Sequence, residues 1–422
     1  MPLERDRVYV IPPQAYLSVR EGMLRLSQPQ APHGARLPFD FFLSSLADGY
    51  GERAVCVILS GTGADGSVGL KAISEKGGLV IAQDPAEAAY DGMPRSAIST
   101  GAVNLVLPVG EIPQALVRYA RHPYVTAGPG AAPADEHDDK LLSEIIALLR
   151  EQTSRDFTQY RKTTLLRRVR RRMAAAGIEE IADYLSKLRG DSRELEQLAK
   201  DFLIHVTSFF RDPGAFEGLA RTVIPDLVQH AEDRPIRVWV PGCSTGEEAF
   251  SLAMLFLEEF AAAKRAVKLQ IFASDIGADA LDFGRNGVYP DSIKADVSAE
   301  RLQRFFTHQD QGYRVSRDLR DVIVFTDHDL LADPPFSRLD LISCRNLLIY
   351  LQPEEQQKVL SLFHFALSDG GYLFLGASET IGQLTGFFQP ISNTLRIFRR
   401  IGHGRPRHRI SSPDIGERAR AL

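Results

Sequence analysis

Cysteine is nearly missing from this chain. Of 422 residues only Cys56, Cys243 and Cys344 carry thiols, far apart and without C-x-x-C spacing, which argues against a disulfide framework and a metal centre and for buried, reduced thiols. Long apolar runs are missing too. None approaches the roughly 18 residues needed to span a bilayer, and Met1-Pro-Leu-Glu-Arg-Asp6 opens on charge with no apolar stretch behind it. No membrane insertion, no secretory signal and a cytoplasmic location are therefore expected. A strong excess of either charge is also absent. At a net −4 the chain has no global attraction to nucleic acid, so such a partner would have to rely on a local patch.

What is present is a globular composition, 44% hydrophobic and 25% charged. At roughly 100–200 residues per domain its length implies two or three domains. Residues 1–121 read as an α/β unit with a strand at Val8–Ile11, a hairpin from Tyr16 to Leu26, a helix at Phe39–Leu46, a buried strand at Ala54–Leu59 and further strands at Leu79–Ala82 and Val103–Leu107,. Residues 122–140 turn Pro-, Gly- and Ala-rich and then acidic, as a linker does. Residues 141–205 are a small helical domain, with apolar faces such as Leu142, Ile145, Ile146 and Leu149, and with Asp191 and Glu194 spaced as a capping box,. Strands and helices alternate over residues 206–400, which predicts a mostly parallel sheet. The Arg-, Gly- and Pro-rich residues 401–422 read as a disordered tail.

The most informative stretch is Ile236–Met254. An apolar β-branched run ends at Pro241-Gly242, and helical spacing of apolar residues begins after Glu247,. Strand, glycine turn and helix make a cradle at the carboxyl end of a parallel strand. Glu247 and Glu248 fall in the first helical turn, where they repel phosphate and suit a ligand with positive charge and hydroxyls; S-adenosylmethionine answers that description. The bland alternative is that Gly242 and Gly246 only permit close packing. Asp275, at the end of the next strand, is placed to hold a ribose diol or to cap the following helix. Within Tyr160–Ala176, Leu166, Val169, Met173 and Ala176 share one face and leave five arginines around the rest. Either this is a solvated face or Arg167, Arg170 and Arg171 recognise an acidic protein.

Four ordered stretches, His205-Val-Thr-Ser-Phe-Phe-Arg211, Gly242-Cys-Ser-Thr-Gly-Glu-Glu248, Ala273-Ser-Asp-Ile276 and Cys344-Arg-Asn-Leu-Leu-Ile-Tyr350, make residues 141–400 resemble the chemotaxis-receptor glutamate methyltransferases of the CheR type. The resemblance implies a Rossmann-like domain that uses S-adenosylmethionine to methylate glutamates on the cytoplasmic helices of chemoreceptors. It implies cofactor contacts at Thr207, Arg211, Glu247, Asp275, Arg345 and Asn346, and at Asp329 with Leu330. By their own chemistry Arg211 suits either the acceptor carboxylate or the cofactor's carboxyl group, and Tyr350 suits either orienting the acceptor or packing as an aromatic. His205 and Asp329 stand where the family has asparagine. Residues Leu59-Ser-Gly-Thr-Gly-Ala-Asp-Gly66 and Asp91-Gly-Met-Pro-Arg-Ser-Ala97 likewise resemble a chemotaxis methylesterase of the CheB type. There the resemblance makes Asp65 the acid of a Ser-His-Asp triad whose Ser and His would precede this chain, leaving an incomplete remnant or docking module. Competing expectations are a nucleic-acid methyltransferase, from the arginine helix and Asp333-Pro-Pro-Phe336, and a non-catalytic scaffold.

Overall fold

The computed structural model describes residues 1–28, 37–126, 136–153, 155–203, 207–231, 234–309 and 312–402. His205 and residues 403–422 of the expected tail lie outside them. The chain divides into two compact units, Met1–Arg211 with Asp282–Arg320, and Asp212–Leu281 with the residues from Asp321 onward. Among the described residues no helix is long and apolar enough to cross a membrane.

The first unit opens on a hairpin of β1 (Tyr16–Arg20) and β2 (Met23–Ser27). Its two-residue turn, Glu21-Gly22, has positive φ at both positions (51° and 72°), as a type I′ turn requires. The strand expected at Val8–Ile11 does not form, and Val8 is 92% exposed. Pro12 and Pro13 cannot donate to a ladder, and the hairpin's open edge is taken by the first three residues: Pro2 bridges Met23 and the Leu3 N–H donates to Gly22 O at 2.8 Å. Helix α1 (Pro38–Tyr50) leads into a parallel sheet of β3 (Val55–Ile58), β4 (Leu79–Gln83) and β5 (Leu105–Leu107). The helices α2 (Gly69–Glu75) and α3 (Gly92–Ser99) connect these strands and α4 (Ile112–Arg121) follows them.

Two aspartates hold α1 and α2 together by capping each other's helix. Asp65 accepts the Phe39 and Asp40 N–H groups (3.2 and 3.0 Å), and Asp40 accepts those of Val68 and Gly69 (2.8 and 2.6 Å). The start of α2 is thus capped by Asp40 and not by Asp65, the carboxylate nearer to it in the chain. Burial pushes the Asp40 carboxyl up from 3.8 to about 6, and the neighbouring Asp65 charge adds to the rise. Burial raises Asp65 as well. Since the folded-state value exceeds the unfolded one, the cost of an ionised Asp40 is absent below about pH 4 and complete above about pH 6. At roughly 1.4 kcal/mol for each tenfold change in proton affinity, that cost amounts to about 3 kcal/mol. Thermal melts are therefore expected to show stability declining as pH rises through that window, and Asp40→Asn to flatten the decline; parallel curves for the two proteins would contradict the assignment.

Helices α5 (Pro123–Thr126), α6 (Glu136–Thr153), α7 (Lys162–Ala176), α8 (Ile181–Gly190) and α9 (Ser192–Phe202) follow. The acidic residues 136–140, expected in a linker, are instead the first turn of α6, where Glu136, Asp138 and Asp139 meet the positive end of the helix,. Asp191 does cap α9, accepting from Arg193 and Glu194 N–H. Glu194 does not reach back to it, because its carboxylate takes the Arg172 guanidinium at 3.0 and 2.7 Å and the Tyr184 hydroxyl at 2.7 Å. Ala174 and Ala175 of α7 share one core with Leu79, Ile81 and Tyr119. The helical segment and the amino-terminal sheet thus bury apolar surface against each other.

The second unit begins with α10 (Pro213–Gln229), β6 (Ile236–Pro241), α11 (Glu247–Ala263), β7 (Leu269–Asp275) and α12 (Ala278–Asn286). The chain then supplies the first unit with an antiparallel sheet that sequence patterning did not reveal. It comprises β8 (Val288–Tyr289), β9 (Phe306–Gln309) and β10 (Gly312–Val315), in the order β8-β10-β9, with α13 (Ala299–Phe305) before β9 and α14 (Arg317–Arg320) after β10. Back in the second unit come β11 (Ile323–Asp327), β12 (Leu339–Cys344), α15 (Pro353–Ala366), β13 (Leu367–Leu375), β14 (Phe388–Ser392) and β15 (Ile397–Arg400). The seven strands run β11-β7-β6-β12-β13-β15-β14, parallel from β11 to β13 and antiparallel through β15 and β14. Central β6 and β12 are buried on both faces, which is why both are mostly apolar, interrupted only by Arg237 in β6 and by Asp340 and Ser343 in β12,. Strand order reverses between β6 and β12, and in such sheets ligands bind beyond the carboxyl ends at that reversal.

Candidate functional site

At the end of β6 the backbone turns through Gly242, Ser244 and Gly246, all at positive φ (66°, 51° and 95°). A Cβ on Gly246 would stand 2.9 Å from the Phe325 ring, and one on Gly242 would stand 2.9 Å from a Leu347 methyl. Glycine is therefore required both for the turn and for the close approach of β11 and the loop after β12. Asp275 ties this turn to β7: its two oxygens accept the Ser244 N–H at 2.8 Å and the Gly277 N–H at 2.9 Å. A carboxylate oxygen has two acceptor positions, so each retains one for a ligand hydroxyl. Both alternatives weighed for Asp275 are thus compatible, since it caps backbone and keeps acceptor capacity.

Glu247 is buried in the first turn of α11 and accepts the Thr245 hydroxyl at 2.6 Å, while Glu248 accepts the Ser343 hydroxyl of β12 at 2.5 Å. Two carboxylates at a helix amino terminus leave a cradle that repels phosphate. The Cys243 thiol lies buried in the same turn. Burial first, and the charges of Asp275, Glu248 and Glu247 after it, push that thiol well above its ordinary value, which removes it as a nucleophile.

Beyond β11, Asp329 opens a tight turn, accepting the Leu331 N–H and donating its own N–H to Asp333, both at 2.8 Å; Leu330 is half-buried beside it. Beyond β12, the Arg345 guanidinium is buried, donates to Asp212 at 2.7 Å and lies over the rings of Phe216 and Phe374. It secures α10 to the sheet. Asn346 follows at φ 58°, and Tyr350 ends a short 3-10 turn, half-buried. Among the described residues, the polar atoms of these loops that are buried without a hydrogen-bond partner include Asn346 Oδ1 and His328 Nδ1. Buried polar atoms usually find a partner, and one outside the protein can be ordered water, an ion or a ligand. A ligand bearing donors and hydroxyls but no phosphate fits this set of groups.

Thr207 and Arg211 belong to the first unit. The Thr207 carbonyl accepts the Lys71 ammonium at 3.1 Å and Arg211 pairs with Glu75 at 2.9 Å, so α2 holds both ends of this segment. Phe209 packs edge-on against Tyr289 and Phe306, and the Arg301 guanidinium covers Phe210.

The arginine helix divides sharply, and Arg171 has to be withdrawn as a substrate contact. Its side chain is 4% exposed, bonded to Ser74 O at 3.2 Å and Asp201 at 3.0 Å. Arg168 and Arg172 are buried as well, and Arg170 is paired with Asp138 at 2.6 Å with its side chain 24% exposed. Arg167 is exposed, whereas Ala176, expected on the apolar face, is exposed too. The nucleic-acid alternative loses its aromatic: Phe336 is stacked on Phe272 and His328 and meets Trp239 edge-on, so its faces are occupied within the protein.

Sequence reasoning missed Asp40, Lys71, Glu75, Asp212 and Glu379. Only Asp40 left a signal, as a carboxylate on the apolar face made by Leu43 and Ala47.

Three family models match the chain. Residues 1–116 match the CheB methylesterase, residues 140–203 the all-alpha domain of the CheR methyltransferase, and residues 205–397 the S-adenosylmethionine-binding domain of the CheR methyltransferase. An uncharacterised 104.1 kDa protein of Rhodobacter capsulatus is 40% identical over 425 residues, covering 96% of this chain and 44% of its own. The chain therefore spans less than half of that relative. Pseudomonas putida Cher3, named as a methyltransferase, is 32% identical over 271 residues, 62% of this chain and 96% of its own. Chemotaxis protein methyltransferase 1 of Pseudomonas aeruginosa is 30% identical over 230 residues, 53% of this chain and 84% of its own.

Proposed function

Because the chain belongs to the CheR family of chemotaxis methyltransferases, we propose that it methylates glutamate side chains on the cytoplasmic helices of chemoreceptors. The observation that carries this reading is the phosphate-repelling glycine turn at the end of β6, tied to Asp275 at the end of β7 and closed by Glu247, with Leu347 of the loop after β12 packed on Gly242. S-adenosylmethionine supplies a methyl group on a sulfonium, whose departure as a neutral thioether drives the transfer. In this reading Asp275 holds the ribose hydroxyls, Glu247 and Asn346 fix the remainder of the cofactor together with Asp329 and Leu330, and no general base is needed; Arg345, buried against Asp212, positions the loop and does not touch the cofactor. A glutamate is already ionised at neutral pH, so the protein only has to align its oxygen with the methyl carbon. Tyr350, at the end of the turn after β12, is suited to orient the acceptor,. Support for protein recognition by α7 narrows to Arg167 and Arg170. Arg167→Glu with Arg170→Glu is expected to raise the KM for a receptor fragment about tenfold or more, leaving S-adenosylmethionine affinity unchanged. Normal methylation by that double variant would reduce the helix to a docking element.

For the amino-terminal segment we propose an esterase-like module that performs no hydrolysis and serves as the seat of the helical domain. Its support is that its sheet shares a core with α7 and that Asp65 has a structural task of its own, capping α1 with one N–H on each oxygen. Hydrolysis of methylated receptor by this chain is expected to equal that of buffer, because an orienting carboxylate has no nucleophilic role alone. Asp65→Asn is expected to lose about 0.5–2 kcal/mol of stability and to retain methyl transfer. Ester hydrolysis that disappears in Asp65→Asn would overturn this assignment.

A further inference from the structure

We infer that Glu379 is a positioning residue for the cofactor site, a carboxylate clamp that holds the loop after β12 in the shape that presents Asn346. The inference rests on the cofactor reading above and adds to it a residue outside every motif that pointed to the site. Glu379 lies beyond the end of β13 and is 3% exposed. Its Oε1 accepts the Leu347 and Leu348 N–H groups at 2.9 and 2.8 Å, and its Oε2 accepts those of Asn346 and Gly376 at 3.0 and 2.7 Å. Four backbone donors converge on one carboxylate, and three belong to consecutive residues of the Arg345–Leu348 loop.

A loop with three successive N–H groups turned the same way needs an anion or a carboxylate at its focus. It also needs a residue that tolerates positive φ, and Asn346 occupies that place at 58°,. In this conformation the Asn346 backbone is fixed by Glu379 while its side-chain Oδ1 remains buried and unpartnered. The clamp thus uses the backbone and leaves the amide oxygen for a ligand donor. The neighbouring chain makes room for it: a Cβ on Gly376 would stand 2.8 Å from Glu379 Oε2 and 2.9 Å from Asn346 N, although Gly376 itself has no positive φ. A methyl group at that position wedges the clamp open without altering its charge.

The test is calorimetric titration of the full chain with S-adenosylmethionine, alongside thermal melts, for wild type, Glu379→Ala, Gly376→Ala, Asn346→Ala and the Glu379→Ala/Asn346→Ala pair. Each single variant is expected to weaken binding about tenfold or more. Glu379→Ala is expected to add less than about threefold in the Asn346→Ala background, because residues that act through one another are not additive. A residue that matters only for stability would lower the melting temperature and leave affinity alone. Should Glu379→Ala not fold, Gly376→Ala carries the same expectation. Unchanged affinity in either folded variant, or full additivity in the pair, overturns the clamp while leaving the cofactor assignment standing. Absence of binding by the wild type overturns the cofactor assignment and the clamp with it.

Discussion

Asp275→Ala is expected to weaken S-adenosylmethionine binding by at least about a hundredfold. Two effects add. Hydrogen bonds to a charged acceptor contribute about 1.5–3 kcal/mol each, so losing the carboxylate beneath a ribose diol amounts to two decades or more at about 1.4 kcal/mol per decade. Asp275 also accepts the Ser244 and Gly277 N–H groups, so its removal releases the turn that forms the cradle's floor. Asp275→Asn retains one oxygen and is expected to fall between the two. Calorimetry on the folded variants decides the matter, and an Asp275→Ala protein with wild-type affinity would rule out this cradle as the cofactor site.

Arg171→Glu is expected to act on folding. The guanidinium is enclosed between Ser74 of α2 and Asp201 of α9, and the substitution places a second carboxylate beside Asp201 with no cation between them. Breaking a buried pair costs about 3–5 kcal/mol, which for units of this size lowers the melting temperature by on the order of 10 °C. Arg170, one residue earlier, is partly exposed against Asp138, and its loss costs about 1 kcal/mol or less. Thermal melts of the two single variants should therefore differ widely. A stable Arg171→Glu protein with a raised receptor KM would restore the uniformly basic recognition face.

That contrast shows what could and could not be read from residue order. β6 and β12 were legible because strands buried on both faces are mostly apolar even with Arg237, Asp340 and Ser343 among them, and the glycine turn because positive φ and close approach both demand the same residue. The pairing of α1 with α2 was not legible: Asp40 and Asp65 lie 25 residues apart, and which helix each one caps depends on the crossover between them. Arginines at neighbouring positions of α7 look alike in sequence, yet a carboxylate on α9 and a carbonyl on α2 decide that Arg171 faces inward. β8, β9 and β10 are short strands of mixed polarity, as in Thr307-His308-Gln309, and carry no period-two pattern. Glu379 looked like an ordinary loop acid because its partners are backbone groups, which leave no trace in composition.

The central claim is methyl transfer to a carboxylate, and the most direct test follows the chemical lability of the product. The chain is incubated with methyl-labelled S-adenosylmethionine and a chemoreceptor cytoplasmic fragment, with RNA in a parallel reaction, and each product is treated with mild base. A glutamate methyl ester hydrolyses to volatile methanol, whereas a methyl group on a nucleobase nitrogen or carbon stays attached. Label is expected in the receptor fragment, released by base as methanol, and none in RNA. Base-stable label, or label in RNA with none in the receptor, would contradict it.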